Sequence, residues 1–215
     1  MRSRTRAPWL LLCAVLPLPL LVAGCGGDDD DKGEDSNTIE FVGRIDQEGP
    51  SFTGYGYLTH VDGTEDGALF DSPPLAASEK SARLTFRFKA QATSRGTLRE
   101  VFAIHSRGTI EFFANDRPGA DFDEPNSFAR GRRVSRGSLD VQNIITVYAP
   151  NRGIAEASGV LSLDEAGDFE IGDEQVAIGE DGDSLRATLA GAGTRSNAVL
   201  PRSVINFAGR AVHDD

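Results

Sequence analysis

The chain has 215 residues, a formal net charge of −11 at pH 7 and two cysteines. Such an acidic composition disfavours binding to nucleic acid, and we predict no nucleic-acid partner. Both cysteines lie within the first 25 residues, which excludes a disulfide or a thiol nucleophile in the rest of the chain.

The first 25 residues have the pattern of a secretory signal. A basic opening precedes an apolar run at 7–22, and small residues then lead to Cys25. This order is typical of a signal peptide, which we predict over residues 1–24. The alternative is a membrane-spanning helix, but such a helix needs about 20 apolar residues, whereas this run is shorter and contains two prolines.

The segment Leu21-Val22-Ala23-Gly24-Cys25 resembles the bacterial lipobox. The resemblance implies that the chain is cut before Cys25 and that this cysteine carries a diacylglyceryl group, with fatty acyl chains such as palmitate. The alternative is an ordinary cysteine near a cleavage site. A lipid on Cys25 would make the membrane a partner and would place the chain on the extracytoplasmic side of the cell membrane or the outer membrane.

Residues 26–37 contain six acidic residues and no large apolar side chain. A segment of this composition cannot pack against a core, and its charges repel one another. We therefore predict a lipidated cysteine and a disordered acidic tether over residues 25–37, followed by a single domain over residues 38–215. Removal of residues 1–24 takes away three arginines and no acidic residue, so the net charge becomes −14.

The domain from residue 38 onward is dominated by alternation of apolar and polar residues. In 81–93 the even-numbered positions are apolar and the odd-numbered positions are polar, and the same period of two recurs at 138–149 and 154–163. Such alternation predicts strands with one buried face. A hairpin loop is predicted at 94–96. Further strands are predicted at 38–45, 52–60, 98–105, 109–114, 128–134, 184–189 and 203–212.

These elements predict an all-β fold without a long helix. We predict an antiparallel β-barrel of about eight to nine strands, with a β-sandwich as the alternative. Long strands favour the barrel, because closure removes the exposed edges of a sheet. We interpret Gly54, Gly56 and Gly63 as points at which the sheet bends.

The turn at 148–153 and the strand segment Ala157-Ser158-Gly159 are similar to features of the allene oxide cyclase and dirigent barrel families. Those families carry a Gly-Thr-Gly turn before a strand with an Ala-x-Gly motif. Here Ala149-Pro150-Asn151 replaces the glycine-rich turn. The resemblance implies a barrel, but no catalytic residue of those families has a counterpart in this chain.

Two residues are candidates for ligand binding. His105 continues the face of Val101 and Ala103, so we expect it to point into the barrel. There, beside Asn143 of another strand, it would orient a bound ligand. The alternative is a buried histidine bonded to a carbonyl group, or a histidine at a strand end in water.

Catalytic and metal-binding motifs are missing from the sequence. The three histidines are too few and too far apart for a metal motif, and no Gly-x-Ser-x-Gly elbow occurs. Acidic clusters at 164–165, 168–174 and 180–183 lack EF-hand spacing, so we interpret them as solvated loops. We interpret the four arginines within 130–136 as a solvated strand. We predict no cofactor, no metal and no enzymatic activity.

Three classes of function fit these features. The first is a membrane-anchored binding or accessory lipoprotein with a small apolar ligand in the barrel. The second is a structural lipoprotein that interacts with another protein of the cell envelope. The third is a barrel enzyme similar to the cyclase and dirigent families.

Overall fold

A computed structural model describes residues 38–214. The predicted signal peptide, Cys25 and the tether lie outside the described residues. Ten strands run through the described part of the chain, and they are β1 Thr38–Glu48, β2 Ser51–Val61, β3 Leu84–Leu98, β4 Val101–Ala114, β5 Arg132–Ala149, β6 Arg152–Glu165, β7 Phe169–Ile171, β8 Glu174–Val176, β9 Ser184–Asn197 and β10 Arg202–His213. Within this part of the chain, no helix is long and apolar enough to cross a membrane.

The eight long strands form a closed antiparallel barrel in the order β1-β2-β3-β4-β5-β6-β9-β10. Each strand pairs with the next long strand along the chain, and β10 returns to pair with β1 across Thr38↔Val212. The short strands β7 and β8 make a separate hairpin. The structure therefore confirms the predicted all-β fold and decides between a barrel and a sandwich, because the sheet has no free edge.

The two ends of the barrel are built differently because the strands alternate in direction. One end carries the four short turns, which follow β1, β3, β5 and β9. The other end carries the three long connections, at 62–83, 115–131 and 166–183. Thr38 and His213 also lie at this second end, which we call the base. The end with the short turns is called the mouth.

Three predicted boundaries are wrong. The strands predicted at 98–105 and 109–114 are one strand, β4, because Gly108 pairs directly with Leu139 instead of breaking the ladder. The strands predicted at 128–134 and 138–149 become one strand that begins at Arg132, after a short 3-10 helix at Pro125–Ala129. The hairpin predicted at 94–96 lies further on, since β3 continues to Leu98.

The barrel interior is filled from the base by apolar side chains. Every second residue along a strand points inward. Phe86 of β3, Phe112 of β4 and Leu161 of β6 are examples, and these three are buried. Side chains of the long connections close the base, namely Leu69, Phe70, Phe169, Ile171, Val176 and Ile178. This end of the barrel is therefore a packed apolar plug.

A second, smaller core lies outside the barrel wall. Tyr55 of β2 points outward and is buried by the connection between β4 and β5, where its ring packs against Phe122 and Phe128 with centroids 5.9 and 5.2 Å apart. Its hydroxyl donates a hydrogen bond of 2.7 Å to Asp46 on β1. Burial and, to a smaller degree, this carboxylate hold the pKa of Tyr55 above its ordinary value.

We expect Tyr55→Phe to lower the free energy of unfolding by about 1 kcal/mol, because it removes one buried hydroxyl while keeping the ring that packs against the connection. Urea unfolding, followed by far-UV circular dichroism, measures the change in the free energy of unfolding. Tyr148→Phe is the matched control, since Tyr148 is 60% exposed. Equal stability of the two variants would show that the bond to Asp46 contributes nothing.

Candidate functional site

The barrel encloses a cavity of about 90 Å³ between the plug and the mouth. Its lining is almost wholly apolar, with phenyl rings on one side and small residues on the other. The small residues come from β6 and β9 and include Ala157, Gly159 and Ala187. The order along β6 explains this shape, because small side chains line the cavity and the larger Leu161 and Leu163 lie nearer the base.

Two polar side chains on the inner face of the wall line this apolar cavity, whereas Ser158, which also borders it, is an exposed residue of β6. Ser106 of β4 is only 3% exposed, and its hydroxyl oxygen has no hydrogen-bond partner among the described residues. Asn143 of β5 also lines the cavity, and no residue of 38–214 bonds to its side-chain amide. Ser106 pairs with Val141 and Asn143 pairs with Ile104, so the two polar groups are diagonal neighbours on one inner face. Diagonal neighbours of adjacent strands lie roughly 7–8 Å apart, close enough for one small molecule to contact both.

The structure places the two sequence candidates on opposite faces of the barrel wall. Asn143 points inward, whereas His105 lies on the outer face, opposite Gln142. The expectation that His105 points into the barrel is therefore wrong. His105 does share a face with Val101 and Ala103, but β4 presents that face outward, because its even-numbered residues fill the interior. Ser106, the next residue, occupies the inner position that we expected for His105.

His105 belongs to a polar network on the outer surface. Its Nε2 contacts Asp140, which also accepts a hydrogen bond of 2.8 Å from Arg107. His105 and Arg107, in that order, hold the pKa of the Asp140 carboxyl below its ordinary value. The Thr93 hydroxyl donates to the His105 carbonyl oxygen at 3.2 Å. These groups lie outside the barrel cavity, so they form a surface ion-pair network with no enclosed space for a substrate.

A second cavity, of about 400 Å³, lies at the mouth. Phe52, Ile145 and Ile205 line both this cavity and the interior one, so the two spaces meet at this apolar layer. Single ligand sites in proteins have volumes of about 300–1,000 Å³, and the mouth cavity falls within that range. The mouth cavity therefore adjoins the apolar interior.

Three arginines from three hairpins line the mouth cavity. They are Arg95 near the end of β3, Arg152 at the start of β6 and Arg195 near the end of β9. Arg95 lies over the ring of Phe102 at 4.8 Å, and Arg195 donates a hydrogen bond of 3.3 Å to the side-chain oxygen of Asn151. Arg152 has no ion-pair or side-chain hydrogen-bond partner among the described residues.

Charge is unevenly distributed between the two ends of the barrel. The described residues carry 18 basic and 26 acidic side chains, a net charge of −8. The connections at the base, 62–83, 115–131 and 166–183, hold 16 of the acidic side chains and only four basic ones. The mouth segments, 47–51, 94–102, 146–154 and 194–203, carry five arginines and two glutamates. The mouth is thus a basic region on an acidic protein.

Three of the four arginines of the cluster that stands out in the sequence form ion pairs in the structure. Arg133 forms ion pairs with Glu111 and Glu165 at 3.1 and 2.9 Å, and Arg130 pairs with Glu124 at 2.8 Å. The mouth arginines were missed because they are about 50 residues apart in the chain. Their shared signal is a position next to a hairpin turn, and it becomes visible only when the strand order is known.

No group of three or more His, Cys, Asp or Glu side chains converges as a metal site in the part of the chain that the structure describes. The acidic clusters of the base connections instead make local contacts, such as the bond of 2.7 Å from the Glu180 backbone N–H to Asp183. Comparison with known proteins gives no relative from which a role could be taken. No protein-family model, no curated protein and no solved structure matches this chain.

Proposed function

We propose that this chain is a lipid-anchored binding protein whose barrel holds one small, largely apolar ligand on the extracytoplasmic side of a membrane. The observation that carries the proposal is a pair of polar side chains without a partner among the described residues, the buried Ser106 and the half-buried Asn143, in a largely apolar cavity. A buried polar group without a partner costs about 1–3 kcal/mol. A ligand with one hydrogen-bonding group between these two side chains would remove that cost.

The shape of the barrel supports the same proposal. The base is closed by a packed plug, while the mouth cavity adjoins the interior cavity, so the mouth is the route that we propose for a ligand. Empty apolar cavities in proteins stay dry and accept small apolar molecules. The small side chains of β6 and β9 keep this space open, since larger residues at Ala157 or Ala187 would fill it.

The anchor is the second part of the proposal. The resemblance of residues 21–25 to a lipobox supports a lipid on Cys25, and the acidic residues 26–37 would then form a spacer between lipid and barrel. The chain enters the barrel at the base, with Thr38. The mouth is at the end away from this entry point, where it is accessible to molecules arriving from solution.

Native mass spectrometry tests the ligand directly. We would purify the domain from Ser36 onward from its native host without detergent, and we expect one small-molecule adduct per barrel. Ala157→Leu extends a buried side chain into the cavity, so we expect this variant to lose the adduct. Asn143→Leu has a similar size but removes the amide, and we expect about a tenfold lower affinity for the same molecule.

His105→Leu is the matched control for these two variants, because His105 lies on the adjacent strand but on the outer face. It should keep the adduct. A wild-type domain without any adduct would contradict the proposal and favour a structural or protein-interaction role in the cell envelope. Chemical conversion of the bound molecule during incubation would instead favour the enzyme similar to the cyclase and dirigent families.

A further inference from the structure

We propose that the ligand is an amphiphile with an anionic head, whose apolar chain enters the barrel while a carboxylate or phosphate is held by Arg95, Arg152 and Arg195 at the mouth. This inference rests on the proposed function, because it assumes that the cavity is occupied. It deepens that function by giving the ligand a chemical class and an orientation. The observation behind it is that an apolar space and a basic mouth adjoin each other.

The mouth arginines lack carboxylate partners inside the cavity that they line. Two glutamates occur in the mouth segments, Glu48 and Glu100, but neither lines the mouth cavity. Glu48 is engaged by Arg202 in an ion pair on the surface. Like charges brought together without counterions repel one another, so the site is electrostatically incomplete. An anion at the mouth would complete it, and guanidinium groups suit carboxylate and phosphate because they donate two parallel hydrogen bonds.

The backbone holds these arginines in a defined arrangement. The Gly49 N–H donates to the Pro201 carbonyl oxygen at 2.8 Å, which joins the β1–β2 turn to the β9–β10 turn. The Arg195 N–H donates to the Asn151 carbonyl oxygen at 3.0 Å, which joins the β9 end to the β5–β6 turn. These bonds fix neighbouring hairpin tips to one another. The backbone positions of the strand ends that carry Arg152 and Arg195 are therefore set before a ligand binds.

The apolar layer below the arginines explains why a simple anion would not fill both the mouth cavity and the interior cavity. Phe52, Ile145 and Ile205 separate the mouth cavity from the interior and contact both. A ligand that bridges the two spaces needs an apolar chain at this layer and a charged group above it. Neutral apolar molecules would leave the arginines unpaired, whereas cationic amphiphiles would be repelled by them.

Calorimetric titration with three probes that share one chain tests this inference. The probes are decanoate, 1-decanol and decyltrimethylammonium, each added to the domain from Ser36 onward, which retains the complete barrel. We expect decanoate to bind about tenfold more tightly than decanol, because charge-assisted hydrogen bonds are stronger than neutral ones. Decyltrimethylammonium should bind more weakly than decanol. The preference for decanoate should shrink as salt is raised, since exposed charges are screened.

Variants at the mouth test whether the arginines cause the preference for decanoate over decanol. In the double variant Arg152→Gln/Arg195→Gln we expect decanoate and decanol to bind within about twofold of each other, with the affinity for decanol unchanged. Arg210→Gln is the matched control, because Arg210 is an exposed outward-facing arginine of β10 outside the mouth cavity. It should keep the tenfold preference.

Acetate and inorganic phosphate test whether the mouth binds any free anion or only an anionic head group that carries an apolar chain. We expect both to bind far more weakly than decanoate, and binding as tight as that of decanoate would overturn the inference in favour of a plain anion site. Equal binding of decanoate and decanol by the wild type would also overturn it, while leaving the proposed binding function intact. If none of the probes with a decyl chain binds, the inference fails, whereas the proposed function fails only if the native mass spectrum of the wild type also shows no adduct.

Discussion

Gly56→Val is expected to lower the free energy of unfolding by about 3 kcal/mol, the upper part of the range for inserting side-chain atoms into a packed interior. Gly56 points into the barrel opposite Gly43, and a Cβ atom there would lie 2.1 Å from the Val42 carbonyl oxygen. The same atom would lie 2.7 Å from the ring of Phe86. Because one obstacle is backbone of the neighbouring strand, the clash requires β1 and β2 to separate locally.

Gly96→Val is the matched control for that variant. Gly96 is also a strand glycine, but a Cβ added there meets nothing within 4 Å. We expect its stability to stay within about 0.5 kcal/mol of the wild type, as for most surface substitutions. Urea unfolding of both variants measures the difference. Equal midpoints would contradict the view that Gly56 is required by close packing between the first two strands and the aromatic interior.

The interior glycines show how far sequence reasoning reaches. From the sequence, Gly54 and Gly56 were interpreted as points at which the sheet bends. The structure gives a further reason, since a Cβ at Gly54 would lie 2.0 Å from the ring of Phe88. That ring comes from β3, 34 residues further along the chain. A sequence pattern marks the glycine, but only the strand pairing identifies the ring that needs the space.

Strand alternation predicted the fold well because its physical cause is local. A period of two places every second residue on one face, and the even-numbered residues of β3 do fill the interior as predicted. The hairpin after β3 was placed too early because Ser94-Arg95-Gly96 has turn composition. The turn actually uses Arg99, which adopts a positive φ of 54° without being glycine. Such a turn leaves no compositional signal.

The site was harder to predict than the fold because it depends on which face of each strand points inward. Alternation places His105 on one face of β4 and Ser106 on the other, but both faces of this strand carry apolar residues. Val101 and Ala103 favoured the face that proves to be outside. For β5 the choice was clearer, because the face opposite to Asn143 is mostly polar, with Ile144 as an apolar exception. Asn143 does line the interior cavity, whereas the inward position of Ser106 was missed.

The distribution of charge connects the predicted anchor with the predicted site. The acidic base is the end at which the chain enters the barrel, and the tether that precedes it is acidic as well. Anionic lipid head groups would repel both. The domain then has no electrostatic attraction to a membrane surface through its base, so attachment would depend on the lipid.

Cys25→Ser is accordingly expected to move the chain from the membrane fraction to the soluble fraction almost completely. Each buried methylene contributes about 0.8 kcal/mol and a single acyl chain binds only marginally, so two or more chains are needed for stable attachment. Labelling with radioactive palmitate provides a second readout, in which the wild type is labelled and Cys25→Ser is not. Cys13→Ser is the matched control, since this cysteine lies within the predicted signal and should change neither result. Palmitate on the Cys25→Ser chain, or an unlabelled wild type, would contradict a lipid anchor at Cys25.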